Sequence, residues 1–147
     1  MFTLNCKGRL LTVDNPLVMG IINITPDSFF EGSRFMENAV ILKVAEKMLN
    51  EGADILDLGA QSTRPGSERI SADEELKRLM PSVEAIHGEF PDALLSIDTY
   101  HSKVAKQTID AGAAIVNDIS AGELDNEMMT TVAQLKVPYI CMEYRKK

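Results

Sequence analysis

With 147 residues, 45% hydrophobic and 25% charged, the chain has the composition of one globular domain able to bury a sizeable core. A formal charge of −7 and the absence of Trp weigh against a general nucleic-acid surface, and no apolar run reaches the ~18 residues a membrane span needs. The start, residues 1–9, lacks the unbroken apolar segment of a signal peptide, and the only cysteines, Cys6 and Cys141, show no metal-ligand spacing, so a reduced cytoplasmic protein is expected.

Residues 2–6 and 9–13 read as a small hairpin turned by Lys7-Gly8. Residues 17–22 are apolar with almost no alternation, as in a parallel strand covered on both faces. That strand stops at a polar run, Asn23-Ile24-Thr25-Pro26-Asp27-Ser28-Phe29. A helix is predicted over 36–51, with Val40, Ile41, Val44, Ala45, Met48 and Leu49 as its apolar stripe and Gly52 as its stop. Ile55-Leu56-Asp57-Leu58-Gly59 forms a second strand, followed by Gln61-Ser62-Thr63-Arg64-Pro65-Gly66. Ser71-Ala72-Asp73-Glu74 has capping-box spacing and opens a helix through Leu76, Leu79, Met80, Val83 and Ile86, which Pro81 is expected to kink or split. The third strand is Leu94-Leu95-Ser96-Ile97-Asp98, and its helix runs over 102–111 with Val104, Ala105, Thr108 and Ile109 inward. Ile115-Val116-Asn117-Asp118 is the fourth strand. Asp125 then reads as the N-cap of a helix that buries Met128, Met129, Val132 and Leu135, before Pro138 starts a fifth strand over 139–142.

Strict βα alternation with short joins implies a parallel sheet. An internal echo supports repetition of one unit, since Gly52-Ala53 and Gly112-Ala113 both end a helix and precede apolar strand residues and a polar group. An open doubly wound sheet and a (β/α)₈ barrel both satisfy that order. No G-x-G-x-x-G turn follows the first buried strand, and polar residues end all of the first four, which favours the barrel. Such a barrel needs eight units and typically ~250 residues. The chain holds four units and a fifth strand, so the expectation is one domain over 1–147 that is the N-terminal portion of a larger one.

The chemistry sits at the strand ends. Asn23 offers a neutral carbonyl oxygen suited to Mg²⁺, or it satisfies loop backbone. Arg64, on a loop stiffened by Pro65 and freed by Gly66, suits phosphate or carboxylate oxygens, or is simply solvated. Asp98 suits a guanidine-like pair of N–H donors with Asn117 donating and accepting beside it, or it caps the next helix. His101 and His87 have no evident nucleophile partner and read as helix-terminal residues, and Cys141 reads as a small buried hydrophobe.

The four strand-end segments, in this order and spacing, resemble the dihydropteroate synthase family over essentially the whole chain, but match only the first half or so of that family's fold. The resemblance implies condensation of 6-hydroxymethyl-7,8-dihydropterin diphosphate with 4-aminobenzoate, releasing diphosphate, in folate biosynthesis. It implies that Asn23 contacts the Mg²⁺ bridging the leaving diphosphate. Thr63 and Arg64 would belong to a mobile loop closing over the diphosphate and aminobenzoate, and Thr25, Asp27, Ser28 and Phe29 to a second mobile loop. Asp98 and Asn117 would contact the pterin, and Ile119 and Met142 would sandwich its ring. Asp57 has no clear role and reads as a structural bond to a neighbouring loop.

Departures are visible. Gly59-Ala60-Gln61-Ser62 stands where the family often has Gly-Gly-Glu-Ser, and Glu143 where it commonly has His. The family's later-strand Asp, Lys and Arg-x-His are absent. Two rival readings therefore stay open: a pterin-binding methyltransferase barrel, which has no use for the Asn23, Thr63 and Arg64 set, and an inactive fragment. Unpaired edges on the first and fifth strands predict a dimer or higher assembly.

Overall fold

The computed structural model describes residues 1–24, 34–61 and 68–142. The chain opens with an antiparallel hairpin, β1 (Phe2–Cys6) and β2 (Arg9–Val13), with Phe2 opposite Val13 and Cys6 opposite Arg9. Its two-residue turn places Lys7 at φ 54° and Gly8 at φ 87°, the left-handed pair that matches strand twist. The Asn5 side-chain oxygen accepts from Gly8 N at 2.7 Å and closes the turn.

Alternation then begins: β3 (Met19–Asn23), α1 (Arg34–Asn50), β4 (Ile55–Gly59), α2 (Ala72–Glu89), β5 (Leu94–Asp98), α3 (Ser102–Asp110), β6 (Ile115–Asp118), α4 (Met128–Leu135) and β7 (Tyr139–Cys141). The sheet order is β3-β4-β5-β6-β7, parallel throughout, as the sequence pattern predicts.

Successive strand residues face opposite sides of the sheet. On one side Ile22, Leu56, Leu58, Leu95, Ile97 and Val116 pack against helical residues such as Ile41, Ala45, Leu79, Val83, Val104 and Met128. On the other, Met19, Ile55, Leu94 and Ile115 meet Leu4, Cys6 and Leu11 of the hairpin. The hairpin is a floor under the amino ends of the strands. It is strapped there by Lys7 Nζ donating to Ile109 O and Arg9 Nη1 donating to Asp92 O, both at 2.6 Å. The carboxyl-end half of that face is left to polar residues.

The structure corrects several sequence expectations. The first buried strand is covered on both faces only at its start, where Met19 meets the hairpin, and Val18 and Ile21 are 57% and 61% exposed at this edge of the described sheet. Val40 and Val44 point away from the α1 core face that Ile41 and Ala45 occupy. Helix α2 runs unbroken through Pro81, since Leu76 and Leu79 before it and Val83 and Ile86 after it bury on one face, and that packing outweighs one lost backbone bond. Glu127, not Asp125, occupies the α4 N-cap position, and the Asp125 carboxylate just before it serves both helices, accepting from Glu127 N at 2.9 Å through Oδ1 and from Ser102 N at 2.7 Å through Oδ2. Met129 and Cys141 are exposed rather than buried.

Candidate active site

Strand register builds the site. Asn23 lies opposite Gly59, Gly59 opposite Asp98, Asp98 opposite Asn117 and Asn117 opposite Ile140. Four strands thus bring Asn23, Asp98 and Asn117 into one row at their carboxyl ends, on the face the hairpin leaves open. Gly59 supplies the gap between Asn23 and Asp98: a Cβ there would sit 3.4 Å from Asp98 Oδ2. One row below run Ile21, Asp57, Ser96 and Ile115.

These polar groups are linked. Asn117 Nδ2 donates to Asp57 Oδ2 at 3.2 Å. Among the described residues, Asp57 Oδ1, Ser96 Oγ and Asn117 Oδ1 are buried without a hydrogen-bond partner, a costly arrangement unless something polar completes it. Burial pushes the Asp57 carboxyl up, partly offset by the neighbouring Ser96 hydroxyl and the Asn117 amide. Burial also lifts Asp98, with the negative charges of Asp57 and Asp118 adding to it, and it titrates at about 6. Around neutrality Asp98 therefore carries an acceptor-only carboxylate in a site that favours incoming N–H donors.

The helix-capping alternative for Asp98 is excluded by geometry. Helix α3 has His101 at its N-cap position and takes its first side-chain acceptor from Asp125. Asp57 binds Asn117 on the sheet face rather than a neighbouring loop, correcting that expectation.

Asp118 points to the opposite face and organises the β6–α4 turn. Its Oδ1 accepts from Ser120 N and Oγ at 2.8 Å, and its Oδ2 from Gly122 N at 2.9 Å and Tyr139 O–H at 2.6 Å. Met142 N donates to Asp118 O at 3.0 Å, which sets Met142 beside the turn that carries Ile119. Ile119 and Met142 are 40% and 48% exposed at this rim, accessible as apolar surface for a planar ligand.

Thr25, Asp27, Ser28, Phe29, Thr63 and Arg64 lie outside the described residues. Among the described residues no group of three or more His, Cys, Asp or Glu could hold a metal. Asn23, exposed at the end of β3, offers one neutral oxygen. That donor fits a cation such as Mg²⁺ that keeps most of its waters and takes the remaining oxygens from a ligand, and does not fit an all-protein cage. Sequence reading passed over Ser96 and left Asp57 outside the site. The signal for both was the period of two, which puts them on the same face as Asp98. No described helix is long and apolar enough to cross a membrane.

Comparison with known proteins agrees with this geometry. A family model described as "Pterin binding enzyme" matches residues 19–147. The dihydropteroate synthase of Streptococcus pyogenes is 39% identical over 140 residues, covering 95% of this chain and 52% of that protein. The mitochondrial folate synthesis bifunctional protein of Pisum sativum is 50% identical over 131 residues, covering 88% of this chain and 25% of that protein. The structure of the Xanthomonas albilineans dihydropteroate synthase with 4-aminobenzoic acid superposes with a TM-score of 0.88 at 37% identity, over 99% of this chain and 53% of that one. The α/β barrel-family class expected from strand order is borne out, and the chain spans about half the length of these synthases and a quarter of the bifunctional protein. From its strand-end row to the match over residues 19–147, this chain belongs to the pterin binding enzyme family.

Proposed function

We propose that this chain supplies the pterin- and diphosphate-facing side of a dihydropteroate synthase site. The observation that carries the reading is the single row of Asn23, Gly59, Asp98 and Asn117 across four adjacent strands. In the reaction, 6-hydroxymethyl-7,8-dihydropterin diphosphate loses diphosphate as its exocyclic C–O bond breaks. The amine of 4-aminobenzoate forms the new C–N bond and gives up a proton. The Asp98 carboxylate accepts the paired N–H groups of the aminopyrimidinone edge, and Asn117 meets the same ring with its free Oδ1. Those contacts hold a ring that delocalises positive charge as the bond breaks, so no protein nucleophile is required. Ile119 and Met142 cover its faces.

Asn23 is the ligand to Mg²⁺ in this reading, and bound Mg²⁺ supplies charge neutralisation at the diphosphate oxygens. Thr63 and Arg64 bind the same diphosphate, and Thr25, Asp27, Ser28 and Phe29 help to exclude water from the reactive carbon. The protein works in a reducing, cytoplasmic compartment, consistent with two free thiols at Cys6 and Cys141. It acts as a homodimer, for which the support is that β3 and β7 each lack a second strand neighbour among the described residues.

A pair of variants tests the assignment by calorimetry. Asp98→Asn should weaken a free pterin roughly ten-fold or more, the loss expected of a charge-assisted bond. Arg64→Ala should weaken diphosphate, whose binding Mg²⁺ should strengthen, and leave free pterin unchanged. Equal loss of free pterin and diphosphate ester in Arg64→Ala would make Arg64 a structural residue and defeat the synthase reading.

A further inference from the structure

Glu75 is a fully buried carboxyl in the first turn of α2, and the chemistry above makes no use of it. Its Oε2 accepts from Thr99 Oγ1 at 3.2 Å, while its Oε1 is buried without a partner among the described residues. A Leu would fill such a place without leaving a polar atom unmatched. The contacts continue outward. Thr99 Oγ1 accepts from His101 N at 3.1 Å, and His101 Nε2 lies 3.1 Å from Ile70 O and 3.8 Å from Glu75 Oε2. A carbonyl only accepts, so His101 carries its proton on Nε2. Ile70 O also takes Gln61 Nε2, and Ile70 N donates to Gln61 Oε1, both at 3.3 Å.

One buried side chain therefore reaches two places that matter. Thr99 directly follows Asp98, and its own N–H donates to Asn117 O at 3.0 Å. Gln61 and Ile70 are the two feet of the β4–α2 connection, the stretch that contains Thr63 and Arg64. Tyr100, whose hydroxyl accepts from Gln61 Nε2 at 3.2 Å, ties the corner to the same foot. His101, the helix-terminal residue expected from the sequence, is also the bridge between them.

We propose that Glu75 is a positioning residue: through Thr99 and His101 it fixes the corner that aims Asp98 and holds the Ile70 foot of the β4–α2 connection. The proposal rests on the synthase reading only for what Asp98 and Arg64 bind.

The groups facing Glu75 are Asp98 from β5, His101 at the start of α3, and Tyr100, over whose ring Arg69 sits at 5.7 Å. Burial raises Glu75 most, the Asp98 charge adds to it, the Thr99 and Gln61 side chains oppose it, and it titrates at about 7. Asp98, at about 6, ionises first. Glu75 is then still neutral and adds nothing to Asp98, whereas Glu75 must later ionise beside a charged Asp98. Loss of the Glu75 proton also changes what Thr99 Oγ1 faces, from an acid able to donate to a carboxylate that only accepts. The corner is built to feel that change.

The test is NMR of the whole 147-residue chain, following the amides of Thr99, His101 and Ile70 from about pH 5 to about pH 9. All three should titrate together with a midpoint near 7. In Glu75→Gln, which imitates the protonated acid, the step near 7 should be lost, leaving at Thr99 only the step near 6 that belongs to the adjacent Asp98. Asp98→Asn should keep the titration and lower its midpoint. Thr99→Val, which keeps the side-chain shape, should raise the Glu75 midpoint by about one pH unit and silence His101 and Ile70. Flat amides in the wild type overturn the proposal. So does a step near 7 that survives Glu75→Gln and vanishes in Asp98→Asn, because the signal then belongs to Asp98. If Glu75→Gln does not fold, an unmoved Glu75 midpoint in Thr99→Val overturns it equally. Absence of pterin binding with the linked titration intact would count against the synthase reading alone.

Discussion

Asn117 on β6 reaches across β5 to Asp57 on β4, its Nδ2 donating to Asp57 Oδ2 at 3.2 Å. With Nδ2 committed to Asp57, the Asn117 amide is turned so that its Oδ1 is left to accept from a ligand. Asp57→Asn removes that constraint, since an amide at 57 can accept or donate. Pterin binding should weaken by about five- to ten-fold, with the fold intact by circular dichroism. An unchanged affinity would mean that Asn117 is oriented by something else.

The buried acids make stability fall as pH rises. Asp98 is raised from 3.8 to about 6 and Glu75 from 4.5 to about 7. Each therefore keeps a proton in the folded chain that the unfolded chain has already released. Their favourable contribution is complete below about pH 4 and is lost as pH climbs through about 6 for Asp98 and about 7 for Glu75. At about pH 8, Asp98→Asn should stabilise the chain by about 2 kcal/mol while damaging pterin binding; at about pH 4 the gain should vanish. Urea denaturation at both pH values checks the sign, and a larger gain at the acid end would contradict it.

A different substitution probes packing alone. Gly112 sits at φ +127°, and a Cβ there would fall 2.5 Å from His87 Cγ, inside the ring that covers it. Both the backbone and the ring oppose any side chain. Gly112→Ala should cost about 2–4 kcal/mol in thermal or chemical unfolding. Pairing it with His87→Ala should recover the steric part and leave the backbone part.

The edges of the sheet make a prediction about association. Among the described residues β3 and β7 each have a neighbour on one side only, and Val18 and Ile21 present exposed apolar surface at the β3 edge. Unpaired backbone beside apolar side chains favours a second chain. The 147-residue chain on its own should sediment as a dimer or larger species and show no aminobenzoate-dependent release of diphosphate. A stable monomer would refute the association, and turnover would show that the residues present complete a site.

What could be read from the chain alone was what local pattern determines. The hairpin, the strand order and the row of Asn23, Asp98 and Asn117 follow from turn residues and from periods of two and 3.6, all of which act over a few positions. His101 does stand at a helix start and Asp125 does serve the entry to α4, but their further partners, Ile70 and Ser102, lie 31 and 23 residues away and leave no local signal. Met129 and Cys141 were misread because exposure depends on what lies over an element, which periodicity does not encode. Asp57 needed only the alternation already used for Asp98, carried one row further.

The straps on the hairpin also order events in time. Lys7 meets Ile109 across 102 positions, and Arg9 meets Asp92 across 83. Contacts that distant close large loops and form late, whereas each βα unit can assemble from neighbours. During synthesis residues 1–13 emerge before α3 and must wait, largely unpartnered, until it follows before they can dock. The opening segment of this chain should be among its last to fold.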